Sequence, residues 1–156
     1  MPAVVSVSWA SAPVHQMADP ALAARLLGVT DESLLTGADG TIPAARPGSL
    51  MGALFQSLVT QSARVYAQAN EANVFHLRTQ GGEHEIDLII ERPDGRVVAL
   101  EVKLSATVKD RDIRHLAWLA DRLGTDLLDS AVITTGQYAY RRKDGIAVIP
   151  AALLGP

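Results

Sequence analysis

The chain has 156 residues, 48% of them hydrophobic and 20% charged, with a net charge of −3 and no cysteine. These values describe one folded domain with a buried core. They exclude disulfides and thiolate metal sites, and they require any contact with DNA to rely on a local patch rather than on overall basicity.

In chain order, residues 1–17 form an irregular N-terminal segment in which Val4 to Val7 could make an edge strand, and residues 18–156 read as a single domain. No stretch has the length of a membrane-spanning helix, and the opening MPAVVSVSWASAPV lacks the basic start of a signal peptide. A cytoplasmic protein with no membrane partner is expected. Asp19-Pro20 supplies an N-cap followed by proline in the first helical position, Ala21 to Leu27 are helix formers, and Gly28 stops the helix. Val29 to Gly48 is turn-rich, with one helical turn expected near Glu32. Ser49 is placed to cap a long helix carrying Met51, Leu54, Phe55, Leu58, Val65 and Tyr66 at helical spacing, as far as about Asn70.

A strand is predicted over Asn73 to Arg78, and a hairpin follows the glycines 81 and 82. After it, Asp110 or Asp112 opens a helix whose apolar stripe is Ile113, Leu116, Ala117, Ala120 and Leu123, ended by Gly124. Leu128 to Thr135 reads as a buried strand, Gly145 to Ile149 as a last strand, and a small helix closes the chain. Arg141-Arg142-Lys143 falls in a loop. The result is an α/β sandwich with a mixed sheet, in which the strand after the crossover helix pairs in parallel.

The hairpin concentrates the chemistry. Two alternating runs, His84 to Glu91 and Arg96 to Lys103, flank Pro93-Asp94-Gly95, a three-residue loop whose glycine takes the left-handed position and sets Arg92 against Arg96. Counting back, Ile90 meets Val98, Leu88 meets Leu100, Asp87 meets Glu101 and Glu85 meets Lys103. One face then carries Ile86, Leu88, Ile90, Val98, Leu100 and Val102 and has to be buried, with the long helix as its cover. The other gathers Glu85, Asp87, Glu101 and Lys103. Two carboxylates about 4–5 Å apart repel by roughly 1–4 kcal/mol, which a divalent cation between them removes. Asp87 and Glu101, with the backbone carbonyl of Val102, are the hard oxygen donors that Mg²⁺ or Mn²⁺ takes. Lys103 lies on the same side, where an ammonium can position the attacking water or stabilise charge on a phosphate oxygen. The same residues also suit a solvated sheet face with a Glu85–Lys103 cross-strand pair, because acid-x-Lys arises often without function.

Other sites find less support. His15, His76, His84 and His115 are scattered without zinc-ligand spacing. No G-x-S-x-G elbow accompanies the serines, and the glycine pair precedes a strand, which makes a poor phosphate cradle. Trp118 and Tyr66 suit a core or its boundary. Arg64, Lys109, Arg111 and Arg114 could border the acidic face and touch nucleic acid, or simply solvate helix ends.

GGEHEIDLII followed by VVALEVKLS resembles the restriction-endonuclease-like, PD-(D/E)xK, superfamily, with its Asp on one strand and Glu-x-Lys on the next. The closer resemblance is to the uncharacterised C-terminal domain that follows the ATPase module in many bacterial and archaeal AAA+ proteins. It is carried by ADPALAARLLG at 18–28, MGALFQSLVTQ at 51–61, the hairpin, and GIAVIPAALL at 145–154.

The resemblance implies an α-β-β-β-α-β fold with an extra N-terminal helix and a Mg²⁺-dependent, nuclease-like activity on DNA, with Asp87, Glu101 and Lys103 in the catalytic roles. Where that family commonly has Glu on the first long helix, this chain has Gln56, which weakens the implied metal affinity; Glu85 is a possible substitute acid. The alternative is an inactive recognition or regulatory module that binds nucleic acid, a partner protein or an ATPase module. No G-x-x-x-x-G-K-[ST] loop occurs, so the chain is expected to be either a fragment or a protein that has lost the ATPase module. Oligomeric state is not legible.

Overall fold

The computed structural model describes residues 19–36 and 47–155. The expected irregular segment at 1–17 lies outside the described residues, as does 37–46 of the turn-rich stretch before Gly48.

Helix α1 (Pro20–Leu26) begins where the Asp19 carboxylate accepts the backbone N–H groups of Ala21 and Leu22 at 2.8 and 3.0 Å, satisfying two of the donors that every helix start leaves free. Helix α2 (Asp31–Thr36) is the turn expected near Glu32. The long helix α3 (Pro47–Ala69) starts three residues earlier than a cap at Ser49 predicts, so Ser49 lies within its first turn rather than capping it.

Three antiparallel strands follow: β1 (Asn73–Arg78), β2 (Glu85–Glu91) and β3 (Val97–Val102). A short 3-10 turn at Asp110–Asp112 leads into helix α4 (Arg114–Leu123). The Asp112 carboxylate accepts the Lys109 N–H there, so the acid ties down the connection and the helix proper begins later than Asp110 or Asp112. Strand β4 (Leu127–Thr134), a two-residue strand β5 (Tyr140–Arg141) and β6 (Ala147–Pro150) complete one six-stranded sheet in the order β1-β2-β3-β4-β6-β5. Strands β3, β4 and β6 run parallel to one another, and the rest pair antiparallel. The segment Arg141-Arg142-Lys143, expected as a loop, thus begins with an edge strand.

From the loop to Leu88 the hairpin register is the predicted one; the expected Asp87–Glu101 and Glu85–Lys103 pairs lie beyond the last backbone pair of β2 and β3. Ile90 pairs with Val98 and Leu88 with Leu100. Arg92 donates its N–H to the Arg96 carbonyl at 2.9 Å, and Gly95, at φ +81°, closes the loop. The facing of its side chains differs. Between β1 and β2 the register slips: Phe75 pairs with Ile89 but Leu77 with Ile86, so Asp87 and Leu88 together oppose His76. This β-bulge reverses the alternation on its far side.

Ile86 therefore joins Ile89, Val97 and Ala99 in the core under α4, with Leu116 and Leu119, instead of sharing a face with Leu88. Leu88 and Val102, with Ile90 and Leu100 at the margin, pack beneath α3 against Val59, Ala63 and Phe55, as expected. The second face, read as a charged patch, is mostly core. On α4 the buried stripe is Ile113, Leu116 and Leu119, while Ala117 and Ala120 are exposed. Among the described residues, no helix is long and apolar enough to cross a membrane.

Candidate functional site

The bulge and the end of β3 bring the acids together. The Asp87 carboxylate bridges two elements: Oδ1 accepts from the Gln56 side chain of α3 at 2.9 Å, and Oδ2 accepts the backbone N–H of Val102 at 2.8 Å. Its own carbonyl lies 3.3 Å from His76 Nδ1. Gln56 is held in turn by its helix, where Thr60, 2% exposed, donates its hydroxyl to the Gln56 carbonyl at 2.8 Å.

Glu101 lies in the middle of the sheet, with β2 on one flank and β4 on the other, and is only 3% exposed. Oε2 meets the Lys103 ammonium at 3.2 Å, while Oε1 is buried with no hydrogen-bond partner among the described residues. Burial first, and the charge of Asp87 second, push the Glu101 carboxyl up to about 8, against the pull of Lys103. Burial also works against the Lys103 ammonium, but Glu101 and Asp87 more than offset it and the net shift is upward. Asp87, Glu101 and Lys103 thus form one cluster, which Gln56 borders through Asp87.

Glu85 does not join them. It pairs with Arg78 across β1 and contacts His76 at 3.4 Å and Arg78 at 3.9 Å, so the expected Glu85–Lys103 pair is replaced by Glu101–Lys103. Of the basic residues proposed to border the site, Lys109 precedes the 3-10 turn ahead of α4 and Arg111 lies within it, 3.8 Å from Asp112. Arg114 opens α4. Arg64 lines a shallow depression with Gln68, Glu71 and Asn73, toward the hairpin-turn end of the sheet and away from the acids. Arg141 is committed to Asp129 at 2.9 Å, and Arg142 to Asp110 and Asp144 at 2.6 and 3.0 Å.

Asp87 and Glu101 are hard oxygen donors of the kind a divalent cation takes. Oε1 of Glu101 is a buried acceptor with nothing to accept from, and each Asp87 oxygen keeps a lone pair beyond its one hydrogen bond. No three His, Cys, Asp or Glu side chains gather closely enough to hold an ion among the described residues. Two carboxylates, with the Val102 carbonyl as a third oxygen, would therefore need water to complete the shell, the mode typical of Mg²⁺.

Histidine grouping was not visible in the sequence. His84 Nδ1 lies 3.3 Å from His115 Nδ1, and the His84 ring stacks on Trp118 with centroids 4.0 Å apart. The two histidines are far apart in the chain and meet only because α4 packs on β2, which local periodicity does not encode.

Comparison with curated proteins finds no match. Among solved structures, the chain is similar to one from a refined half-complex of the tetradecameric assembly of Thermococcus gammatolerans McrB AAA+ hexamers with bound McrC, at 12% identity and a TM-score of 0.42. The similarity covers 83% of this chain and 39% of that one. Residues 51–154, from α3 through the closing turn, match the family described as a domain of unknown function, DUF4143, and the chain belongs to that family.

Proposed function

We propose that this domain is a restriction-endonuclease-like, metal-dependent nuclease fold that acts on DNA phosphodiesters, with Asp87 and Glu101 as metal ligands. The observation that carries the reading is the orphaned, buried Oε1 of Glu101 beside Asp87 and Lys103. Burial and the Asp87 charge keep a proton on Glu101 near neutral pH, and an ion here would displace that proton, give Oε1 a partner and offset the repulsion between the two ionised acids. The succession of a long helix, three antiparallel strands, a helix and a parallel strand supports the same assignment.

Bound Mg²⁺ or Mn²⁺ would supply the positive charge that acidifies water and steadies a phosphate oxygen. The chain's own residues do the rest. Val102 N–H and Gln56 fix the Asp87 carboxylate, Glu101 holds the Lys103 ammonium, and that ammonium orients water or binds the developing charge on phosphate. Supercoiled plasmid or branched DNA incubated with the protein in Mg²⁺ or Mn²⁺ is expected to be cut, and Asp87→Asn and Lys103→Ala are each expected to abolish cutting. Cleavage that survives both substitutions rules out this centre.

A second reading follows from the 2.9 Å Gln56–Asp87 bond. An amide in contact with the first acid already occupies one coordination direction without a metal, which suits a non-catalytic module that binds nucleic acid, a partner protein or an AAA+ ATPase module. That module would take up no Mn²⁺ in calorimetry, and Asp87→Asn would leave its binding unchanged.

A further inference from the structure

One cluster beside the pocket has no part in the proposed hydrolysis. The His84 ring lies flat on Trp118, the planes 9° apart, and the Arg122 guanidinium covers Trp118 at 5.2 Å. His84 and His115 meet edge to face, Nδ1 to Nδ1, at 3.3 Å, and Arg114 Nε donates to His115 Nε2 at 2.9 Å.

These contacts permit one proton order. A guanidinium only donates, so His115 Nε2 accepts. A neutral imidazole that accepts at Nε2 carries its proton on Nδ1, so His115 donates to His84. His84 Nδ1 then accepts, and its own proton sits on Nε2. Burial, followed by the charges of Arg114, His84 and Lys103, holds His115 below the usual histidine range despite Glu85, in keeping with the neutral form.

Two donor groups are thus fixed on either side of His115, the His84 Nε2–H and the terminal nitrogens of Arg114, and neither has a partner among the described residues. A clamped donor loses little freedom on binding. The acids nearby are occupied or turned elsewhere: Glu85 toward His76 and Arg78, and Asp112 toward the Lys109 N–H; Glu83 is exposed. The charges of Lys103 and Glu85 both act on His115, and that of Asp112 acts on Lys103, so the 3-10 turn and the start of α4 lie within electrostatic reach of Lys103 and the acids it pairs with.

We infer that His84 and Arg114, ordered through His115 as a positioning residue, bind a backbone phosphate of the DNA strand whose neighbouring phosphodiester sits at Lys103. Planar N–H donors are well matched to phosphate oxygens, and such contacts position a strand without reading its sequence. The inference rests on the proposed action on DNA for the identity of the strand, but not on hydrolysis.

Anisotropy of a fluorescein-labelled single-stranded DNA oligonucleotide, titrated with the full chain in EDTA, tests it without metal chemistry. His84→Ala and Arg114→Ala are each expected to weaken binding about tenfold or more, as loss of a hydrogen bond to a charged group does, and Arg114→Ala to lower the salt slope by about one. His115→Ala should weaken binding similarly, and His115→Asn, which can still accept and donate, should recover part of the loss. Arg114 is exposed, so its variant keeps the test available if His84→Ala fails to fold. Affinities of both alanine variants within twofold of the parent, or no binding by the parent, overturn the inference. Binding that depends on His84 and Arg114 in a protein that cuts no DNA leaves it standing and removes hydrolysis instead.

Discussion

Gln56 on α3 donates its side-chain N–H to Asp87 on β2 at 2.9 Å, across 31 residues of sequence. A helix residue is therefore part of the acidic pocket, and its chemistry sets what the pocket can hold.

Gln56→Glu replaces that donor with a third carboxylate. In EDTA the variant is expected to lose about 1–3 kcal/mol, from the broken hydrogen bond and the added repulsion. Millimolar Mn²⁺ should restore the loss and bind at least tenfold tighter than to the parent. Thermal melts with and without Mn²⁺, paired with calorimetry, check this; a variant whose melting point ignores Mn²⁺ contradicts a metal centre here.

Glu101 sets the pH dependence of stability. Its carboxyl titrates at about 8 in the folded protein against an ordinary value of 4.5, so between those values the native state holds a proton that the unfolded chain has released. Stability is highest, with respect to this group, below pH 4.5. It falls as pH rises toward 8, by an amount on the order of 3–5 kcal/mol. Asp129 and Asp144, held low mainly by Arg141 and Arg142, titrate below this window, while His115, held below its ordinary value of 6.5, adds a slope of opposite sign in parent and variant alike, so the difference between them isolates Glu101. Denaturant melts from pH 5 to 9 should show this decline in the parent and its absence in Glu101→Gln, which is then the more stable protein at pH 9. Parallel curves for the two refute the assignment.

The buried stripe of α4 predicts a contrast between adjacent positions. Leu119 is fully buried and Ala120 exposed. Leu119→Ala should cost about 2–5 kcal/mol by emptying core volume, whereas Ala120→Ser should stay within about 0.5 kcal/mol. Urea midpoints distinguish this stripe from one running through Ala117 and Ala120, for which the order would invert.

The sequence was most legible where one residue type dictates geometry. Pro93-Asp94-Gly95 sets the loop, and the loop sets the register as far as Leu88 and Leu100; the approach of Asp87 to Glu101 lies beyond that last pair, where the Asp87 side chain takes the Val102 N–H. The same count misplaced Ile86, because the bulge at Asp87 and Leu88 arises from pairing with β1, a neighbour whose alignment the hairpin residues do not contain. Glu85 was drawn away by His76 and Arg78 for the same reason. On α4, alanines count as apolar in any periodic pattern yet have little to bury, so Ala117 and Ala120 could be mistaken for core while Leu119 carried it. The His84–His115 contact and the unpartnered oxygen of Glu101 depend on packing between distant segments, which no local pattern reports.

Strand β3 gains its second flank only when β4 docks in parallel, with all of α4 intervening between Glu101 and its partner Val132. Pairings that span so much chain form late, after short-range hairpins. Until that closure a folding copy displays Glu101 to bulk water, where it ionises like any surface acid and has no special hold on a proton or a cation. Whatever reactivity the cleft possesses is thereby withheld from nascent and half-built molecules, and arrives together with the completed sheet.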